Sequence, residues 1–201
     1  MTPAEAAAAA AALRPRVEGD REQEILDAAL EVLADVGYDR LTMDAVAHRA
    51  KASKATLYRR WNSKAKLVVE SLSRMKTVPV MPDTGDLRTD LLTAFCGMGG
   101  LTDHDTTATL GAVLTAVSTD PEFAHEFREQ VVGPKAQVSR VVFERARDRG
   151  ELRPDVDLEI VVPALAGIVL HQVFIFGKQP DADLVERVID QIILPAVRPR
   201  A

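Results

Sequence analysis

Through most of this 201-residue chain, hydrophobic and polar positions follow a helical period. In REQEILDAALEVLADVG, the residues Ile25, Leu26, Ala29, Val32, Leu33 and Val36 fall on one side of a helix, and Gly37 supplies its C-cap. TMDAVAHRA predicts a second helix. There Thr42 is a natural N-cap, Asp44 complements the helix dipole, and Met43, Val46, Ala47 and Ala50 share a face. After Lys51 to Ser53, a third and short helix is predicted over about Lys54 to Trp61, with Ser53 as its cap. Its two large apolar residues, Leu57 and Trp61, stand one turn apart and should face the core. Asn62-Ser63 interrupts the pattern, and Ser63 caps a fourth helix from Lys64 to about Lys76.

Two prolines and a glycine in TVPVMPDTGD then break the chain. LRTDLLTAFCGM is amphipathic, and TDHDTT separates it from ATLGAVLTAVS. DPEFAHEFREQVVGPKAQVSRVVFERARDRG predicts one long helix or two abutting ones, with Gly133-Pro134 as the candidate break. Gly150 ends that stretch before the loop ELRPDVD. LEIVVPALAGIVLHQVFIFG is apolar on nearly every face, and DADLVERVIDQIILPAV pairs apolar residues at Leu184/Val185, Val188/Ile189 and Ile192/Ile193. The expected fold is all-α. Residues 1–20 form a flexible extension, 21–67 a three-helix domain, and 68–201 a second, all-helical domain.

Composition adds little until charge is divided along the chain. The net charge is −5, yet residues 38–76 alone carry +7, while 1–37 carry −5 and 77–201 carry −7. The eighteen residues 49–66 hold seven Lys or Arg and no acid. A basic module on an acidic body is what nucleic-acid binding requires, although a solvated basic face produces the same numbers. The single cysteine excludes an internal disulfide framework and fits a reducing compartment. No run reaches about 18 consecutive apolar residues, so no membrane span is expected and cytoplasmic placement is the default. The N-terminal alanines precede their basic residues, contrary to a signal peptide.

The charge falls on the two short helices joined by a tight turn, braced by the first helix, which is a helix-turn-helix. The third helix is then the one that enters a major groove. With Leu57 and Trp61 inward, Lys54, Ala55, Thr56, Tyr58, Arg59 and Arg60 lie on or near its outer side. Small Ala55 and Thr56 permit close approach, and either methyl fits a thymine methyl. Thr42 and Tyr58 offer hydroxyls to phosphates, and Lys64 adds charge at a helix N-terminus. Ser53 and Ser63 also read as plain caps, Tyr58 and Trp61 as core aromatics, and Arg49 and Lys66 as solvated charges.

ILDAALEVLADVGYDR followed by LTMDAVAHRAKASKATLYRRWNSKAKLV resembles the N-terminal domain of the tetracycline-repressor (TetR) family over residues 25 to about 70. The shared pattern is helix, Gly-Tyr, x-x-x-Thr, then a Val-Ala pair and Ser-x-x-Thr-Leu-Tyr-x-x-Trp-x-Ser-Lys. The resemblance implies that Thr42, Tyr58 and Lys64 contact backbone phosphates and that Lys54, Ala55, Thr56 and Arg60 lie near base edges. It also implies a homodimeric regulator, most simply a repressor, whose helix-turn-helix domain (21–67) binds a palindromic operator and whose helical domain (68–201) dimerises and binds the small molecule that releases it. An activator or an effector-independent regulator remains the alternative, followed by a helical binding protein or enzyme with a vestigial helix-turn-helix. Lys51 departs from the pattern, since the family places Gly at that turn.

The expected effector pocket lies among Phe95, Leu110, Val113, Leu114, Val117, Phe143, His171 and Phe174, whose apolar character suits a largely hydrophobic ligand. His171 reads equally as a hydrogen-bonded core histidine. A dimer seam is expected along Leu184, Val185, Val188, Ile189, Ile192 and Ile193, because one small core should not cover two such apolar helices. Catalytic and metal patterns are missing their parts. HEFRE has Glu129 where a zinc site needs its second His, and Glu122/His125 is a single Glu-x-x-His where a di-iron bundle needs two. Neither a Gly-rich phosphate loop nor a nucleophile elbow is present. No cofactor, metal or enzymatic activity is expected.

Overall fold

The computed structural model describes residues 18–74, 81–96, 113–178 and 181–199. Among them every regular element is helical: α1 (Glu18–Arg40), α2 (Met43–Arg49), α3 (Lys54–Trp61), α4 (Lys64–Arg74), α5 (Leu87–Cys96), α6 (113–119), α7 (Pro121–Phe127), α8 (Gly133–Asp148), α9 (Leu158–Phe176), α10 (Ala182–Val188) and α11 (Leu194–Val197). Two single π turns, Arg128–Val132 and Ile189–Ile193, join α7 to α8 and α10 to α11. The all-α expectation holds.

The stripe predicted for α1 is buried, with Ile25, Leu26, Ala29, Val32 and Leu33 at most 4% exposed. The helix starts at Glu18, inside the expected extension, and continues past Gly37 to Arg40 with a kink. Gly37 sits at φ 75°, ψ 166°, a region a side chain would strain. The kink delivers Tyr38 and Leu41 into the core. Residues 1–17, the expected end of α4 at Lys76, the linker residues 77–80 and the 102–107 separator lie outside the described residues.

The described residues form two apolar cores. The first gathers Ile25, Leu26, Val46, Leu57, Trp61 and Leu67 with Val113, Ala116, Phe123 and Phe127 from α6 and α7. The second gathers Leu87, Leu91, Phe143, Leu165, Val169, Val185, Ile189 and Ile193. The expected boundary between residues 67 and 68 therefore falls inside α4, whose Leu67, Val68 and Val69 are all fully buried.

Each π turn runs into a helix whose second residue is proline, Pro134 or Pro195. Proline has no N–H and its ring crowds the carbonyl one turn back, and a widened turn accommodates both. At Gly133 a Cβ would lie 3.1 Å from the Arg128 carbonyl oxygen, closer than a side chain tolerates comfortably. The candidate break at Gly133-Pro134 is thus a phase change within a continuous rod. The rod places Phe123, Phe127 and Val131 in the first core and Val142, Phe143 and Ala146 in the second.

The second π turn explains a difference from the sequence expectation. Its extra residue brings Ile193, Leu194 and Val197 onto the same side as Val185, Val188 and Ile189. Leu184, Val185, Val188, Ile189 and Ile193 are therefore buried within a single chain, and only Ile192 of the six is exposed. One core does cover them. Among the described residues the most exposed large apolar side chains lie on α9, which buries Leu158, Val162, Leu165 and Val169 but leaves Ile160, Ile175 and Phe176 more than 60% exposed. By length and composition α9 is also long and apolar enough to cross a membrane. A count of consecutive apolar residues misses this because Glu159, Pro163, Gly167, His171 and Gln172 interrupt the run.

Candidate nucleic-acid interface

The geometry begins at α2. Thr42 is extended and exposed, and its hydroxyl oxygen accepts from the Ala45 N–H at 3.1 Å, which sets the first turn. At the other end the Ala52 N–H donates to the Ala47 carbonyl at 2.8 Å and the Lys51 N–H to the His48 carbonyl at 3.1 Å. This paired closure needs a left-handed residue, and Lys51 supplies it at φ 51°. A non-glycine residue there costs about 1 kcal/mol. The Lys51 carbonyl in turn accepts from the Arg21 guanidinium at 2.7 Å, tying the turn to α1.

Ser53 then opens α3. Its Oγ accepts from the Thr56 N–H at 3.1 Å and shares a 2.8 Å hydrogen bond with the Thr56 hydroxyl. Leu57 and Trp61 are buried as expected. On the other side Lys54, Ala55 and Arg59 are exposed, Tyr58 is half exposed and Thr56 is partly covered. Lys54 pairs with Asp44 of α2, so that cation is oriented across the helix-turn-helix. Among the described residues Arg59 forms no ion pair.

Lys64 lies just beyond α3 at the start of α4. Its Nζ donates to the Tyr38 carbonyl at 3.2 Å and stands 4.3 Å from the Tyr38 ring centre. Tyr38 donates its hydroxyl to Asp120 at 2.7 Å and packs its ring 4.5 Å from Phe123. Ser63 donates to Glu122 at 2.9 Å, and Lys66 approaches Glu126 at 3.7 Å. The acidic start of α7 is thus fastened beneath the helix-turn-helix. Burial, then the Asp120 hydrogen bond, pushes the Tyr38 phenol well above its ordinary value. The hydrogen bond from Tyr38, followed by the Phe123 N–H, holds the Asp120 carboxyl below its usual range.

Arg60 points elsewhere. Its Nε donates to Glu22 of α1 at 2.6 Å, and a second nitrogen reaches Glu70 of α4 at 3.3 Å. Glu70 also accepts from the Trp61 indole at 2.8 Å and pairs with Arg74 at 2.7 Å. The position expected near base edges is turned toward the scaffold. Arg49, read as a solvated charge, pairs with Glu31 and Asp35 on the surface.

The residues expected to line a pocket are not brought together. Phe95 and Phe143 belong to the second core, whereas Val113 and Val117 pack on the first. Leu114 is half exposed, His171 is exposed with its ring 5.3 Å from Phe176, Phe174 is partly buried, and Leu110 lies outside the described residues. Sequence reasoning passed over Tyr38, Asp120, Glu22 and Glu70. The Asp-Pro-Glu of residues 120–122 is visible as a helix start, but nothing in sequence announces a partner 82 residues away. It also passed over Gln172, which continues the buried stripe of α9 and whose side-chain oxygen is buried without a hydrogen-bond partner among the described residues.

Comparison with known proteins matches both halves. Residues 25–70 fit the family model described as bacterial regulatory proteins of the tetR family, and 81–192 fit a tetracyclin repressor-like C-terminal domain. An HTH-type transcriptional regulator of Mycobacterium bovis is 37% identical over 181 residues, covering 88% of each chain. The DNA-binding transcriptional repressor TetR of Mycobacteroides abscessus is 34% identical over 184 residues, covering 90% of this chain and 96% of its own. Among solved structures, the TetR family transcription regulator SCO0332 is 27% identical with a TM-score of 0.58, over 90% of this chain and 100% of that one. The flavonoid-responsive regulator FrrA, at 24% identity, a TM-score of 0.64 and coverage of 91% and 100%, shares the fold.

Proposed function

Because the chain belongs to the TetR family of helix-turn-helix transcriptional regulators, which are not enzymes, we propose that it is a cytoplasmic, effector-released repressor that binds a palindromic operator as a homodimer. The observation that carries the proposal is the outer face of α3. Lys54, Ala55, Tyr58 and Arg59 stand open beside Thr42 and Lys64, on a helix held from behind by Leu57 and Trp61. That face reads base edges with its N-terminal residues, while the hydroxyls of Thr42 and Tyr58 and the Lys64 ammonium take phosphates.

One such helix reads half a site. The second comes from a second copy seated on the open face of α9 and Ile192, in place of the seam expected along α10. Covering Ile160, Ile175 and Ile192 this way also takes three large exposed apolar side chains out of water. The effector is a small, largely apolar molecule held in the second core. The Gln172 oxygen, buried without a donor among the described residues, suits a ligand carrying one O–H or N–H.

The test is selection of a duplex from a randomised DNA pool by the wild-type protein, followed by sedimentation alone and with that duplex. A two-fold symmetric duplex bound by two chains is the expected result. Enrichment of no duplex, or a monomer at micromolar concentration, defeats the proposal.

A further inference from the structure

We infer that Arg60 is a positioning residue for DNA reading, which braces the last turn of α3 against α1 and α4 and leaves contact with DNA to Lys54, Ala55, Thr56, Tyr58 and Arg59. This inference rests on the DNA-binding function proposed above.

The need for a brace follows from how little holds α3. It is eight residues long, too short to be stable by itself, and buries only Leu57 and Trp61. Its backbone packs against α2 and α4. The first turn is fixed by Ser53 and by the closure at Lys51. At the last turn, the Arg60 guanidinium bridges Glu22 and Glu70, at 2.6 and 3.3 Å, and the Trp61 indole donates to the same Glu70. Arg74 closes the ring from the other side, 3.3 Å from Glu22 and 2.7 Å from Glu70. Two guanidinium groups and two carboxylates thus alternate around three helices.

Arginine suits this place because its planar fork can engage two carboxylates at once, which a lysine ammonium does less well. The hydrogen bond from Arg60 holds the Glu22 carboxyl below its usual range, in keeping with a fixed pair. Swinging Arg60 out to a phosphate would leave Glu22 and Glu70 sharing one cation beside a polyanion. Its neighbour Arg59 carries no such tie among the described residues, is exposed, and is turned about 100° around the helix. The two adjacent arginines therefore have different roles: Arg59 faces DNA and Arg60 holds the helix that presents it.

The experiment compares Arg60→Gln, Glu22→Gln and the double variant, using the duplex that wild type selects from a randomised pool and a random-sequence duplex as probes. A brace predicts that each single change weakens the selected duplex similarly, by about tenfold, and that the double loses little more. The slope of affinity against salt stays at the wild-type value for Arg60→Gln, and random-sequence affinity hardly moves. Without DNA, amide hydrogen exchange should rise in the last turn of α3 for either single variant. The inference is overturned if Arg60→Gln lowers the salt slope by about one contact while Glu22→Gln tightens binding, since that describes an arginine that touches DNA. It is equally overturned if exchange in α3 is unchanged. A wild-type protein that selects no duplex removes the DNA-binding function itself, a failure distinct from both of these.

Discussion

Helices α3 and α9 both turn one narrow stripe to a core and leave the opposite face open, yet the open faces are chemically unlike. α3 buries Leu57 and Trp61 and presents Lys54, Tyr58 and Arg59. α9 buries Leu158, Val162, Leu165 and Val169 and presents Ile160 and Ile175. A polar open face costs nothing in water, so α3 is complete as a folded element and awaits a polyanion. An apolar open face forgoes about 25 cal/mol per Å² of stabilisation, so α9 is complete only when covered. The difference separates what the fold requires from what the function requires.

The largest effect comes from charging the apolar side, and depth decides the outcome. Ile189 is 0% exposed, so Ile189→Glu should cost several kcal/mol and unfold the second core, seen as a lost or sharply lowered thermal transition. Ile175 is 67% exposed, and Ile175→Glu should leave the melt intact. It should instead produce a monomer by sedimentation and weaken the selected duplex by at least about 100-fold, because the second α3 is lost. A dimer that survives Ile175→Glu would break the comparison.

On the polar side, Lys64→Ala should weaken selected and random duplexes alike, by about tenfold at low salt, and lower the salt slope by about one. Tyr58→Phe should behave in the same direction with a smaller loss and an unchanged slope. An unaltered Lys64→Ala affinity would mean that its contact with Tyr38 is its whole role.

The contact beneath the helix-turn-helix has a pH signature. The folded Tyr38 phenol titrates above its ordinary value near 10, so its contribution is full below that pH and is lost as pH rises through it. The folded Asp120 carboxyl titrates below its ordinary value, so its contribution is full at neutral pH and lost as pH falls below the carboxylate range. Tyr38→Phe should start about 1 kcal/mol less stable at neutral pH and lose the alkaline limb in denaturant melts taken across pH.

The smallest effect is a gain. Lys51→Gly relieves about 1 kcal/mol of left-handed strain and adds roughly 0.5 kcal/mol of chain entropy cost. A net gain of about 0.5 kcal/mol in denaturant melts is expected, with the α3 face unchanged.

Much of this was legible in the sequence where the signals are local. Thr42 and Ser53 cap as their positions imply, Leu57 and Trp61 turn inward, and the strained Lys51 was visible because its place calls for glycine. Contacts between distant segments were not legible. Glu22 is 38 residues from Arg60, and no periodicity distinguishes an arginine aimed at DNA from one aimed at two carboxylates. The burial of most of the α10 residues within one chain was not legible because a helical wheel of constant pitch puts Ile192 beside Ile189 and Ile193, whereas the π turn changes the pitch between them. The pocket residues could not be sorted because apolar residues lining a cavity and filling a core follow the same pattern.

The π turn at Arg128–Val132 makes the α7–α8 rod a spliced shaft. Its two ends are geared to different cores, and the added residue sets the angle between the gears. Removing one residue from the splice would rotate one end against the other by about 100°. Either Phe123 and Phe127 would leave the first core or Val142 and Phe143 the second, although the composition of both helices would be intact. The length of this segment is thus constrained more tightly than its sequence. Substitutions at its exposed positions, such as Glu129 and Gln130, leave the angle as it is, and a single insertion or deletion does not.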